Sequence, residues 1–177
     1  MLEMLEHHGA PATFFQCGAN VERLPGVARD VGRAGHEIGN HSHTHPLLCF
    51  HSPGSIEEEF RRAQETIAAT TGFSPALMRA PYGARWFGFR RMQRRLGLIG
   101  VMWTIIGYDW KLDAVSIANR IARRTGNGAI ICLHDGRELQ ARPDIGETIK
   151  AVGLLVPMLR DRGFSFETVT QLLCPTI

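Results

Sequence analysis

Nowhere in its 177 residues does the chain carry a Cys-x-x-Cys pair, and its four cysteines, Cys17, Cys49, Cys132 and Cys174, lie far apart. That spacing excludes a zinc finger and offers no disulfide framework. Cys17 and Cys132 sit beside apolar runs, where cysteine behaves as a small hydrophobe. No apolar run approaches the roughly 18 residues that a membrane span needs. Met1 opens no signal peptide, so localisation is left unknown. No linker, low-complexity tract or internal repeat interrupts the chain. Its basic residues are scattered rather than striped, so a formal charge of +3 calls for no nucleic-acid partner. Their densest cluster, Arg85, Arg90, Arg91, Arg94 and Arg95, reads as the wet face of a helix.

What is present has the balance of a soluble globular protein, 44% hydrophobic and 21% charged, at a length that suits a single domain over 1–177. Strand-like and helix-like segments alternate with short connections. A helix tail to His8 precedes a strand over 12–16, a helix over 21–34 and a strand over 35–39. Ser55-Ile56-Glu57-Glu58 reads as a capping box, opening a helix with Ile56, Phe60, Ala63 and Ile67 on one face. Strands are predicted over 78–81, 99–106, 129–133 and 164–166. Helices are predicted over 87–96, from a cap at Asp113, over 145–162, and briefly through Leu172. Continuously apolar strands imply burial on both faces, hence a mostly parallel sheet with helices outside. The expected class is α/β and barrel-like.

Three histidines fall within Asn40-His41-Ser42-His43-Thr44-His45-Pro46, directly after a strand-like run. Imidazole is a versatile metal ligand, and His41 and His45, four apart, would project side by side on a helical turn. His43 would face the other way. Four strands end in polar groups: His41/His45, Arg79/Tyr82, Asp109/Trp110 and His134/Asp135. In a parallel barrel the C-terminal strand ends share one face, so these residues are expected to converge. Asp135 reads as a turn residue before Gly136. His7, His8 and His51 read as solvent-facing, and His36 as a surface or core-edge residue. Cys132 packs a strand, with no electropositive neighbour in sequence to make it a nucleophile.

These phrases resemble the polysaccharide deacetylase family, the NodB-type domain of carbohydrate esterase family four. His41-Ser42-His43-Thr44-His45-Pro46 is similar to its His-Ser/Thr-x-x-His-Pro metal motif, and Arg79-Ala80-Pro81-Tyr82 to its Arg-x-Pro-Tyr motif. Asp109-Trp110 resembles the end of its Asp-x-x-Asp-Trp motif, and His134 the end of its Leu-x-His motif. Ala12-Thr13-Phe14-Phe15, Gly35 to His41 and Arg162 to Phe166 are also family-like, so the resemblance runs the length of the chain.

The resemblance implies a distorted (β/α) barrel, TIM-like with seven or fewer strands. It implies removal of acetyl groups from N-acetylated or O-acetylated sugars with one divalent metal, zinc foremost. His41 and His45 would be metal ligands and His134 the general acid, held by Asp109. Tyr82 would donate its backbone N–H to the oxyanion, and Arg79 would orient a catalytic carboxylate. Pro81, Trp110, Cys132 and Leu133 would line the substrate pocket. Peptidoglycan, chitin oligomers, xylan and lipid-linked sugars all suit these motifs, and such proteins are often secreted or held in the cell envelope.

The family's Thr-Phe-Asp-Asp-Gly motif has no counterpart here, since no Asp-Asp pair occurs, and Ile106 and Cys132 replace its usual Asp and Leu. Met1 to His8 reads as the uncapped remainder of the helix that follows that motif, so the first strand is expected to be missing. Weak metal binding, little activity and self-association through exposed barrel edges are expected in turn. The alternative expectation is a non-catalytic carbohydrate-binding relative.

Overall fold

The computed structural model of the chain describes residues 1–136, 139–140 and 142–173. In chain order these form α1 (Leu2–His7), β1 (Thr13–Gln16), α2 (Gly18–Arg23), α3 (Pro25–Arg33), β2 (Glu37–Asn40) and α4 (Pro53–Thr71). Then come β3 (Leu77–Met78), α5 (Phe89–Leu96), β4 (Ile99–Gly100) and β5 (Ile105–Ile106). The last elements are α6 (Ala114–Ala122), β6 (Ile131–Cys132), α7 (Gly146–Asp161) and α8 (Val169–Leu173). Strand and helix alternate as the sequence predicts, and every strand pairing among the described residues is parallel. The chain divides into two compact units, residues 13–102, and residues 1–12 with 103–177.

In the unit 13–102 the sheet order is β1-β2-β3-β4. Gln16 lies opposite Asn40, and Asn40 opposite Met78, which aligns three strand ends. The predicted stripe on α4 is buried at all four positions, Ile56, Phe60, Ala63 and Ile67. Ile56 and Phe60 pack with Leu48, Met78, Ala80, Phe89, Met92 and Leu98. Burying each large apolar side chain contributes roughly 1.5–3 kcal/mol.

Two helix assignments are corrected here. The single helix expected over 21–34 is two, because Leu24 precedes Pro25 and takes an extended φ of −129°. The cap of α4 is Ser52, not Ser55: its hydroxyl accepts from the Ser55 N–H at 3.2 Å, and Pro53 occupies the first turn without an N–H to lose.

Gly18 opens α2 where any side chain would collide with the buried His43 ring and with the backbone of Ala63. Gly18→Ala is therefore expected to destabilise the fold by about 1–3 kcal/mol through overpacking. Urea denaturation of the two proteins measures it.

In the other unit β5 pairs with β6, Ile105 opposite Ile131 and Ile106 opposite Cys132. Ile105, Ile117, Ile121, Ala151, Leu155 and Leu159 belong to one core beneath α6 and α7. Asp113 caps α6 as predicted, its carboxylate accepting the Ser116 N–H at 2.9 Å.

The strand expected over 99–106 is instead β4 and β5, in separate sheets. Arg79 explains the break, because its guanidinium donates to the carbonyls of Val101 and Met102, each at 3.4 Å. Nor is 164–166 a strand. Gly163, with φ of +84°, ends α7 in a left-handed turn, and the Phe164 N–H returns to the Leu159 carbonyl at 3.1 Å. Cys17 and Cys132 are buried thiols as expected, and Cys174 lies outside the described residues.

Candidate functional site

Because β2 and β3 are neighbours in register, His41 and Arg79 follow their strand ends side by side. The His41 ring nitrogen Nδ1 lies 2.8 Å from the Arg79 carbonyl. A carbonyl only accepts, so Nδ1 carries the hydrogen in that bond. That is the tautomer of a metal ligand oriented by an outer hydrogen bond. The His41 and His45 rings stand 4.8 Å apart at 71°. Two imidazoles at this separation suit zinc and other ions that accept nitrogen.

The pair does not arise from a helical turn, as the spacing suggested. Residues 41–47 form an irregular loop in which Ser42 and His45 adopt left-handed φ of 64° and 58°. Such conformations cost about 1–3 kcal/mol each and persist only where the surroundings fix them. Several bonds do so here. Asn40 Oδ1 accepts the Ser42 N–H at 3.0 Å, and Ser42 Oγ accepts the His45 N–H at 3.1 Å. The N–H groups of Gly18 and Ala19 donate to the carbonyls of Ser42 and His43. His43 is buried, and burial, reinforced by Arg62, lowers its pKa against the opposing pull of Glu22 and Glu59.

Tyr82 lies in a short 3-10 turn, Pro81–Gly83, with φ of 55°. Its exposed ring meets the His45 ring at 4.7 Å. The turn's hydrogen bonds are donated by Gly83 and Ala84, which leaves the Tyr82 N–H outside them. Pro81 is buried. The Arg79 guanidinium is buried as well and lies 4.1 Å over the Phe15 ring.

The second constellation belongs to the unit 1–12 with 103–177. Gly107 donates to the Cys132 carbonyl at 3.0 Å, which carries Asp109 and His134 past their strand ends together. The Asp109 carboxylate accepts from His134 Nδ1 at 2.8 Å, from the His134 N–H at 2.8 Å and from the Thr148 hydroxyl at 2.9 Å. Nδ1 is therefore a donor, and Nε2 is the nitrogen left for proton exchange. The Trp110 ring stands edge-on to His134 at 5.1 Å. Cys132 is buried in β6, and Leu133 is half-buried beside Gly107. Asp135 is exposed in a bend, as expected of a turn residue.

Burial alone would push the Asp109 carboxyl upward. The bonds from the His134 ring and N–H, helped by Thr148, outweigh burial and leave it below the ordinary 3.8. Ionisation therefore stabilises the folded chain above that ordinary value, and the contribution is lost as pH falls through the lowered one. The difference in unfolding free energy between the wild type and Asp109→Asn is expected to shrink as pH is taken from 7 to below 3.8. Urea titrations across that range measure it.

Three residues escape a reading of motifs. Asn40 and Thr148 are fully buried polar groups, and Glu59 accepts from the histidine loop. Thr148 carries a detectable signal, since it stands on the same buried face of α7 as Ala151, Val152, Leu155 and Leu159. Among the described residues no group of three or more His, Cys, Asp or Glu is placed to hold an ion. No helix of the described residues is long and apolar enough to cross a membrane.

The family model described as polysaccharide deacetylase matches residues 1–101. The chain belongs to the polysaccharide deacetylase family. A chitooligosaccharide deacetylase of Bradyrhizobium sp. (strain ANU 289) is 33% identical over 97% of this chain and 82% of its own length. A peptidoglycan-N-acetylglucosamine deacetylase of Bacillus cereus is 27% identical over 97% of this chain, which spans 62% of that relative. Among solved structures, BA3943, described as a CE4 family pseudoenzyme from Bacillus anthracis, superposes with a TM-score of 0.89 at 26% identity. That match covers 98% of this chain and 59% of the other, and a BA3943 mutant described as having restored enzymatic activity also scores 0.89. The α/β fold with parallel strands is thus the fold of this family.

Proposed function

We propose that the chain is a metal-dependent hydrolase that removes acetyl groups from N-acetylated sugar oligomers, with N-acetylglucosamine units as the first substrate class. O-acetylated sugars are the second. The observation that carries this reading is the His41–His45 pair, with the His41 tautomer set by the Arg79 carbonyl. A divalent metal held there supplies Lewis acidity toward the acetyl carbonyl and the attacking water. His41 and His45 are the residues that would hold the metal. The Tyr82 N–H is the chain's own donor toward the carbonyl oxygen as it gains charge. Asp109 holds the His134 ring through Nδ1, the arrangement of a general acid that would give up its proton from Nε2. Trp110 fixes that ring from its edge.

Two imidazoles alone hold metal weakly, and no carboxylate base is assigned among the described residues. General-base assistance worth roughly 10²–10⁴ in rate is therefore forgone. Acetate release from N-acetylglucosamine oligomers is expected to be slow, to require added zinc or cobalt, and to stop with a chelator. Release that continues undiminished in excess chelator would overturn the reading.

A non-catalytic carbohydrate-binding role is the second reading. The two-ligand set and the likeness to BA3943 favour it. It predicts oligomer binding that survives chelation, with no acetate released at any metal concentration.

A further inference from the structure

We infer that Glu59 is the positioning residue of the histidine loop, a carboxylate on α4 that holds His41 and His45 in register without touching the metal or substrate. The inference rests on the metal reading of that pair. One carboxylate oxygen accepts the N–H of His43 at 3.0 Å and of Thr44 at 2.8 Å. The other accepts the Thr44 hydroxyl at 2.9 Å. Hydrogen bonds to an ionised acceptor are roughly twice as strong as neutral ones. All three land on the segment between the two candidate ligands.

The same helix grips the loop at its start. Asn40 Nδ2 donates to the Phe60 carbonyl at 2.9 Å and to Gln64 Oε1 at 3.0 Å, while Asn40 Oδ1 receives the Ser42 N–H. Asn40 is spent on the strand end, so the N–H groups in the middle of the loop are held by Glu59, while its carbonyls are held by Gly18 and Ala19. Left-handed φ angles at Ser42 and His45 are unfavourable for side chains of their size and need such fixing. Without Glu59 the loop loses three of its tethers, and those that remain, from Gly18, Ala19 and Ser42 Oγ, hold the 4.8 Å spacing of the two rings less firmly. Glu59 stands beside Phe60, at the border of the buried stripe.

The test compares the full chain with Glu59→Ala and Glu59→Gln. Glutamine keeps an oxygen that can accept both N–H groups, and its amide can donate to the Thr44 hydroxyl. The expected result is a loss of about 10–100-fold in cobalt(II) affinity for Glu59→Ala, measured by calorimetry, and a much smaller loss for Glu59→Gln. In the metal-free protein the Thr44 amide is expected to exchange faster with solvent in Glu59→Ala alone. A purely structural Glu59 lowers the thermal midpoint but leaves cobalt(II) affinity unchanged where the fold is intact, and that result would overturn the inference. So would unchanged Thr44 exchange. A wild type that takes up no cobalt(II) removes the metal reading, and the exchange comparison still decides whether Glu59 is the clamp. Should Glu59→Ala not fold, Glu59→Asp, one methylene short, replaces it in the same comparison.

Discussion

Replacing His134 with glutamine is expected to lower the rate of acetate release by about 10²–10⁴-fold, the range that general acid–base assistance supplies. The fold should hardly notice. His134 is half-exposed, and Asp109 would keep its bonds from the residue 134 N–H and from the Thr148 hydroxyl. Cobalt(II) affinity should be unchanged, since the candidate ligands are His41 and His45. Asp109→Ala offers the contrast. It strips the acceptor from two N–H groups and a buried hydroxyl, and each unsatisfied buried partner costs about 1–3 kcal/mol. Activity and stability should fall together in Asp109→Ala, whereas only activity falls in His134→Gln. Initial rates on N-acetylglucosamine oligomers, with urea denaturation of each variant, separate the two.

The second large effect concerns metal. His41→Ala is expected to reduce cobalt(II) affinity by more than the roughly 10–100-fold typical of losing an outer-shell partner, because one of two ligands disappears. Binding that favours the folded state raises the melting temperature in proportion to the logarithm of metal concentration. The wild-type midpoint should therefore rise with cobalt(II), and that of His41→Ala should stay flat. His43→Ala provides the opposite pattern. His43 is buried against Gly18, so its loss leaves a cavity and lowers the midpoint, while a cobalt(II)-dependent rise remains.

The sequence made the chemistry more legible than the geometry that delivers it. The alternation of elements, the stripe on α4 and the cap at Asp113 could be read because each depends on local periodicity or local hydrogen bonding. The break at Leu24 was equally local, set by Pro25, and is a rule of backbone sterics rather than of pattern. The division of 99–106 into two strands was not legible, because it depends on Arg79 reaching carbonyls 22 and 23 residues away. The same holds within the candidate site. His41, His45, Asp109 and His134 stand out by residue type and place at strand ends. Of their supports, Asn40 and Glu59 reveal themselves only when helix and loop are brought together, whereas Thr148 shows as a polar residue on the buried face of α7. The i,i+4 argument expected the His41 and His45 rings side by side on a helical turn, and they are brought together by a different geometry, left-handed residues in a tethered loop.

The most direct test of the proposed activity is acetate released from N-acetylglucosamine oligomers as a function of cobalt(II) or zinc concentration. The account predicts slow release that rises with metal up to high concentrations, is abolished by a chelator, and is lost in both His41→Ala and His134→Gln. Oligomer binding without acetate release at saturating metal, or release indifferent to either histidine, would contradict it.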